Sequence, residues 1–163
     1  MSVNITFDRA VSKEEKYKNI IPQIESLIYG EDNFIANLSN ITSVLKYSID
    51  NVSWVGFYLF DKSKKELVLG PFQGKVACTR IKPGMGVCGT AVMERRTVIV
   101  DDVNKFEGHI FCDPDSKSEI VIPIIKDDEI KGVLDIDSGI FSNFNLTDKK
   151  YLEKLINNIS KIF

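Results

Sequence analysis

The sequence lacks the features that mark membrane, secreted and nucleic-acid-binding proteins. Its longest apolar runs, such as residues 54–60, are far shorter than the roughly 20 residues that a helix needs to span a bilayer. Residues 1–18 are polar with scattered charges, so we expect no secretory signal and a cytoplasmic location. A net charge of −2 and a pI near 5.5 argue against a nucleic acid or a membrane surface as partner.

Internal repeats, linkers and low-complexity tracts are absent as well. Of the 163 residues, 44% are hydrophobic and 27% are charged, a composition that is ordinary for a globular protein and excludes collagen-like and disordered chains. Domains commonly hold roughly 100–200 residues, and a chain of this size buries about two-thirds of its unfolded surface. We therefore predict a single domain over residues 1–163.

Apolar residues recur at helical spacing near both ends of the chain. We predict N-terminal helices over about residues 13–48, in two segments separated near Gly30, with Asn33 opening the second. Pro22 lies inside the first segment and is expected to kink or interrupt it. A C-terminal helix is predicted over about residues 147–161.

The middle of the chain, about residues 52–138, is richer in strand-forming residues. A short helix over 86–94 interrupts the strands, and residues 101–117 form a long loop without a clear period. Hairpin-length links between most strands indicate an α+β fold, in which helices flank a largely antiparallel central sheet. The predicted strands cover residues 54–60, 67–69, 76–81, 97–100, 120–125 and 130–137.

Three cysteines, Cys78, Cys88 and Cys112, are candidates for chemistry. None lies in a Cys-x-x-Cys motif, which excludes a thioredoxin-like motif and the usual zinc knuckle. An odd number of cysteines without a signal peptide favours reactive cytosolic thiols over a disulfide framework. Two alternatives stay open: His109 and the three thiols could form a Cys₃His zinc site, or the thiols could simply pack as small apolar groups.

The segment Gly84–Gly89 matches Gly-x-Gly-x-x-Gly but lacks the surrounding βαβ unit of a dinucleotide site. The segment still indicates a place where an anion could bind, because backbone N–H groups at the start of a helix favour an anion. A substrate carboxylate would fit this position as well as a phosphate.

Three carboxylates are predicted to converge at the ends of two neighbouring strands. Asp135 and Asp137 share one strand face because side chains alternate, and a turn centred near residue 128 places Glu119 opposite Asp137. Mutual repulsion should raise at least one pKa. Such a cluster can bind a cation or a metal, or donate a proton near neutral pH.

Two aromatic residues, Trp54 and Tyr58, lie four apart on one predicted strand and therefore face the same side. Gly56 between them has no side chain and could leave room for a ligand. Trp54 either lines a pocket or packs in the core, whereas Phe57 and Phe60 are interpreted as core residues.

Several motifs within residues 33–159 match one known family. They are Trp-Val-Gly-Phe-Tyr-Leu (54–59), Leu-Gly-Pro-Phe-Gln-Gly-Lys (69–75), Gly-Val-Cys-Gly-Thr-Ala (86–91), Gly-His-Ile-Phe-Cys-Asp (108–113), Ser-Glu-Ile-Val-Ile-Pro (118–123) and Gly-Val-Leu-Asp-Ile-Asp-Ser (132–138). With these motifs and its cysteine spacing the chain resembles the free methionine-(R)-sulfoxide reductases, which are single GAF domains. The resemblance implies a GAF fold and reduction of free L-methionine-(R)-sulfoxide.

Sulfoxide reduction needs a nucleophile at sulfur and a proton on the departing oxygen. The resemblance implies that Cys112 is the nucleophile, which becomes a sulfenic acid, and that Cys78 resolves it as a disulfide. Cys88 would be accessory, as an alternative resolving or substrate-contacting thiol. An external dithiol of the thioredoxin system would reduce the disulfide, with no bound cofactor or metal.

The substrate implied by the resemblance carries an ammonium and a carboxylate besides its sulfoxide. Glu119, Asp135 and Asp137 would jointly hold the ammonium and protonate the sulfoxide oxygen, with Glu119 or Asp137 favoured as the donor. Trp54 and Tyr58 would contact the methyl group, and backbone N–H groups of residues 86–88 or 108–113 would take the carboxylate.

Three further points stay open on the sequence alone. His109 orders the loop or lowers the pKa of the thiol. A homodimer is compatible with the resemblance. A non-catalytic GAF sensor of a small ligand or cyclic nucleotide is the alternative function.

Overall fold

The computed structural model describes residues 5–8, 10–110 and 112–163. A six-stranded sheet forms its centre, with strand order β3-β2-β1-β6-β5-β4 and antiparallel pairing throughout. This confirms the predicted α+β fold. The elements are α1 (Lys13–Ile28), α2 (Phe34–Ser48), β1 (Val52–Asp61), β2 (Glu66–Gln73), β3 (Arg80–Ile81), α3 (Gly86–Glu94), β4 (Val98–Val100), a 3₁₀ turn (Val103–Lys105), β5 (Ser118–Lys126), β6 (Glu129–Ser138), α4 (Leu146–Ile159) and a final 3₁₀ turn (Ser160–Ile162).

The sheet separates two apolar clusters, and the alternation of side chains along each strand decides which cluster a residue joins. One cluster packs α1, α2 and α4 against strand residues such as Phe57 and Ile120. The other packs α3 against the opposite face, where Trp54, Tyr58 and Val121 lie. The predicted carboxylates share the strand positions of this second face.

Pro22 was predicted to kink or interrupt the first helix; helix α1 continues through it, so the interruption was wrong. Proline removes one backbone hydrogen bond, whereas the buried stripe that includes Ile20, Ile24 and Ile28 holds the segment against the sheet. A capping box between Ser12 and Glu15 fixes the start of the helix.

Two other predicted boundaries need correction. Helix α4 begins at Leu146 instead of 147, because Asn145 is the N-cap and forms a capping box with Asp148. The strand predicted over residues 76–81 is reduced to Arg80–Ile81. Residues 76–78 of the predicted strand lie in a loop, which hydrogen bonds from side chains of β1 hold in place, as described below.

No helix in the described part of the chain is both long and apolar enough to cross a membrane.

Candidate active site

A disulfide joins Cys78, in the loop between β2 and β3, to Cys112, in the loop before β5. The two Cα atoms lie 5.5 Å apart, although 34 residues separate the cysteines in the chain. Cys88, in the first turn of α3, keeps a free thiol and is buried. Two of the four donors of the alternative Cys₃His zinc site are therefore bonded to each other.

Side chains from the sheet and an exposed lysine hold the two cysteine loops in place. Trp54 Nε1 donates a hydrogen bond to the Lys75 carbonyl at 3.0 Å, and the Tyr58 hydroxyl donates to the Cys78 carbonyl at 3.0 Å. Lys75 Nζ lies 3.2 Å from Asp113 Oδ1 and also pairs with Asp115. These contacts replace the ladder bonds that a longer β3 would have made, and they bring the Cys78 loop against the Cys112 loop.

The three predicted carboxylates come together on the α3 side of the sheet. Strand pairing places Glu119 opposite Asp137 and Val121 opposite Asp135, which confirms the predicted register. Glu119 and Asp135 are each only 6% exposed. A two-residue turn at residues 127–128 joins β5 and β6, and a one-residue register shift between Ile124 and Ile125 brings Glu119 opposite Asp137.

The environment of these carboxyl groups favours their protonated forms. Burial is the main cause that raises the pKa of Glu119 and Asp135 well above ordinary values, and neighbouring negative charges add to it. Burial also raises the pKa of Asp137 to about 6, despite a hydrogen bond from Ser116 and the nearby His109, which both lower it. The cluster therefore holds exchangeable protons near neutral pH, as the sequence predicts.

Ser116 and His109 complete the surroundings of the carboxyl cluster. The Ser116 hydroxyl donates to Asp137 Oδ1 at 2.6 Å, a contact that sequence reasoning missed. His109 Nε2 lies 3.6 Å from Glu119 Oε2. Burial lowers the pKa of His109, so its neutral form is favoured at pH 7.

An aromatic wall stands beside the carboxyl groups. The Trp54 ring stacks on Tyr58 at 6.0 Å and on Phe72 at 5.5 Å between ring centroids. The expectation that Gly56 leaves room for a ligand was wrong, since a Cβ there would overlap the Trp54 ring and lie 2.6 Å from Phe72 Cβ. Phe72 pairs with Gly56 only because the hairpin register shifts by one residue between Gly56 and Tyr58, so the spacing of the hairpin did not reveal it.

The glycine-rich segment is a tight turn into α3, and Gly84 and Gly86 adopt φ values of +82° and +61°. Its amides are partly used within the chain: Gly84 N–H donates to the Gly89 carbonyl at 2.8 Å and Gly86 N–H to the Gly108 carbonyl at 3.2 Å. The next amides, those of Val87 and Cys88, belong to the first turn of α3, where backbone N–H groups have no partner within the helix and favour an anion.

One cavity that opens to solvent is lined by the Trp54 and Tyr58 rings, the carboxyl cluster and the first residues of α3. Cys112 lies in its wall, whereas Cys78 does not. The cavity thus combines one sulfur of the disulfide, a cluster of buried carboxyl groups and an aromatic wall. Its predicted site residues are Trp54, Tyr58, Cys88, His109, Cys112, Glu119, Asp135 and Asp137.

One group of three donors in the described part of the chain is close enough to hold a metal ion. It comprises Cys88 Sγ and carboxylate oxygens of Glu119 and Asp135, all within 4.8 Å of one another. Burial raises the pKa of all three groups, which favours their protonated forms.

The chain is similar to known proteins over most of its length. The family model for the GAF domain matches residues 38–163. GAF domain-containing protein A of Dictyostelium discoideum is 56% identical over 145 residues, which cover 89% of this chain and 90% of the relative. The free methionine-R-sulfoxide reductase of Escherichia coli is 43% identical over 152 residues, with 93% and 91% covered.

A solved structure extends the likeness to three dimensions. The X-ray structure of free methionine-R-sulfoxide reductase from Neisseria meningitidis, in complex with its substrate, has a TM-score of 0.96 at 44% identity. The alignment covers 99% of this chain and 96% of that one. The fold and the sequence match define a GAF domain. Within that class, the chain belongs to the free methionine-(R)-sulfoxide reductase family of enzymes.

Proposed function

We propose that the protein reduces free L-methionine-(R)-sulfoxide to methionine through a sulfenic acid on Cys112 and a disulfide with Cys78. The observation that carries this proposal is the placement of the two sulfurs. Cys112 lines the cavity that holds the carboxyl cluster, while its disulfide partner lies outside that lining. A nucleophile must meet the substrate, whereas a resolving thiol needs only to meet the nucleophile.

The first step transfers oxygen from the substrate to the enzyme. The Cys112 thiolate attacks the sulfoxide sulfur, and a carboxyl of the cluster protonates the sulfoxide oxygen. The products are the Cys112 sulfenic acid and methionine; the thiol proton of Cys112 replaces the one that the cluster donated. The raised pKa values of Glu119 and Asp137 support either group as the donor.

The second step makes the disulfide. The Cys78 thiol attacks the sulfenic sulfur, the S–S bond forms, and the oxygen leaves as water with the Cys78 proton. An external dithiol, which we infer to be a thioredoxin in the cytoplasm, then reduces the disulfide and becomes a disulfide itself. The contacts of Lys75 with Asp113 and Asp115 support this step, because they keep the two loops together.

Substrate selection follows from the remaining walls. An ionised carboxylate of the cluster would pair with the substrate ammonium, and the amides of Val87 and Cys88 would take its carboxylate. Trp54 and Tyr58 would contact the methyl group. A methionine sulfoxide inside a peptide has neither free charge, so the site should reject it.

The test is a turnover assay with separated R and S epimers, each free and within a peptide, in the presence of thioredoxin, thioredoxin reductase and NADPH. We expect methionine only from the free R epimer, and none with Cys112→Ser. Cys78→Ser is the matched control, since it should yield up to one methionine per protein and then stop. A protein that binds a cyclic nucleotide but reduces neither epimer would support the non-catalytic sensor instead.

A further inference from the structure

The proposed reaction uses two thiols and leaves Cys88 without a role. Its side chain is only 4% exposed and lines the same cavity as Cys112. Cys88 lies in the first turn of helix α3, which covers this face of the sheet. Simple packing would explain a buried sulfur among apolar neighbours. Cys88, however, faces two carboxyl groups.

The contacts of Cys88 indicate a hydrogen-bond donor. Its Sγ and the nearest oxygens of Glu119 and Asp135 lie within 4.8 Å of one another, so the buried thiol faces both carboxyl groups. Asp135 lines the cavity, and its Oδ1 atom is buried without a hydrogen-bond partner.

We propose that Cys88 is a positioning residue, whose thiol donates a hydrogen bond to Asp135 and turns Oδ1 toward the substrate. This inference rests on the proposed function. It also assigns Cys88 no disulfide during turnover, in contrast to a resolving thiol.

The charges around Asp135 set the direction of the effect. The groups that face it are Glu119 on β5, Asp137 on β6, Tyr58 on β1 and Cys88 on α3, and His109 in the loop lies against Glu119 and Asp137. Burial and the two acidic neighbours raise the pKa of Asp135, whereas the Cys88 hydrogen bond lowers it. Loss of the thiol therefore moves this pKa further upward.

The thiol itself is suited to donating a proton to a hydrogen bond and is unsuited to attack. Burial and the acidic neighbours raise the pKa of Cys88 well above its usual value, so the thiol stays protonated. A protonated thiol is a weak nucleophile, because the thiolate is the reactive form. Resolution of a sulfenic acid by Cys88 is disfavoured for the same reason.

The test compares Cys88→Ala, which removes the donor, with Cys88→Ser, which keeps one. The first readout is the pH profile of kcat/KM for the free R epimer. The second is the titration of Asp135 by carboxyl ¹³C NMR in the reduced protein, which needs no turnover. We expect Cys88→Ala to move the Asp135 titration and the associated limb of the profile upward by about one pH unit. Cys88→Ser should bring both back toward the wild-type position.

Two outcomes would contradict the proposed role of Cys88. An Asp135 titration that is the same in all three proteins would show that Cys88 only packs, and equal losses of stability in both variants would agree with that. A loss of steady-state turnover in both variants, with the first methionine still released, would make Cys88 a resolving thiol. If the wild-type protein reduces no sulfoxide, the proposed function fails, while the NMR titration still decides the role of Cys88.

Discussion

Replacing Gly56 by alanine tests the packing of the aromatic wall. Gly56 lies on β1 under the Trp54 ring, and an added Cβ would lie 2.9 Å from Trp54 Cζ3, still nearer to Cη2, and 2.6 Å from Phe72 Cβ. Carbon atoms pack best at about 3.5–4.0 Å, so the ring or β2 must move by about 1 Å. Because Trp54 Nε1 holds the Lys75 carbonyl at 3.0 Å, the movement would also break that bond.

The magnitude of the effect follows from these two losses. Overpacking typically costs about 1–3 kcal/mol, and a lost hydrogen bond costs about 1 kcal/mol. The usual gain from replacing glycine by alanine, about 0.4–1 kcal/mol, offsets part of this. We therefore expect the free energy of unfolding to fall by about 2–3 kcal/mol, or the melting temperature by about 4–12 °C.

Denaturant and thermal unfolding of the reduced protein measure this change, and KM for the free R epimer measures the effect on the pocket. Gly139→Ala is the matched control, because a Cβ there meets nothing nearer than the Asp115 carbonyl at 4.0 Å. The control should be neutral or slightly stabilising. If Gly56→Ala matches its control in stability and in KM, the space at Gly56 is open and the description of the wall is incorrect.

Two further changes probe the carboxyl cluster and the core. Ser116→Ala removes the hydroxyl that donates to Asp137 Oδ1 at 2.6 Å and stabilises the ionised carboxylate. The pKa of Asp137 should therefore rise from about 6 to about 7. An unchanged Asp137 titration in carboxyl ¹³C NMR would contradict this. If Asp137 is the proton donor, the alkaline limb of activity should move upward with it. Asp148→Ala removes a fully buried carboxylate that pairs with Lys13 at 2.6 Å, and should lower the free energy of unfolding by about 3 kcal/mol. A loss below 1 kcal/mol in a denaturant titration would show that this pair contributes little.

The carboxyl cluster was predictable because local rules determine its geometry. A short turn fixes the register of two strands, and alternation then fixes which side chains share a face. A turn centred on residue 128 gives the observed pairing of Glu119 with Asp137. The observed turn is centred half a residue earlier, and a register shift between Ile124 and Ile125, which the sequence did not reveal, restores that pairing. The capping box at Asn145 and Asp148 was equally local, yet the choice of Thr147 as the start of α4 concealed it.

The features that sequence reasoning missed depend on contacts between distant segments. The space above Gly56 is filled by Trp54 and Phe72, a result of ring packing that no spacing reveals. The shortening of β3 depends on side chains of β1 that bond to the loop around Cys78. The partner of Cys112 was likewise implied by resemblance to a family and could not be obtained from the spacing of the cysteines.

Quantification of the free thiols and disulfides after a single turnover tests the proposed chemistry most directly. Reduced protein is mixed with excess free L-methionine-(R)-sulfoxide without any reductant, and methionine, free thiols and disulfide-linked peptides are measured. We predict one methionine per protein, the loss of two thiols, a Cys78–Cys112 peptide and a Cys88 that still reacts with a thiol reagent after unfolding. Methionine release with a Cys88 disulfide would contradict the assigned roles, and no methionine would contradict the proposed function.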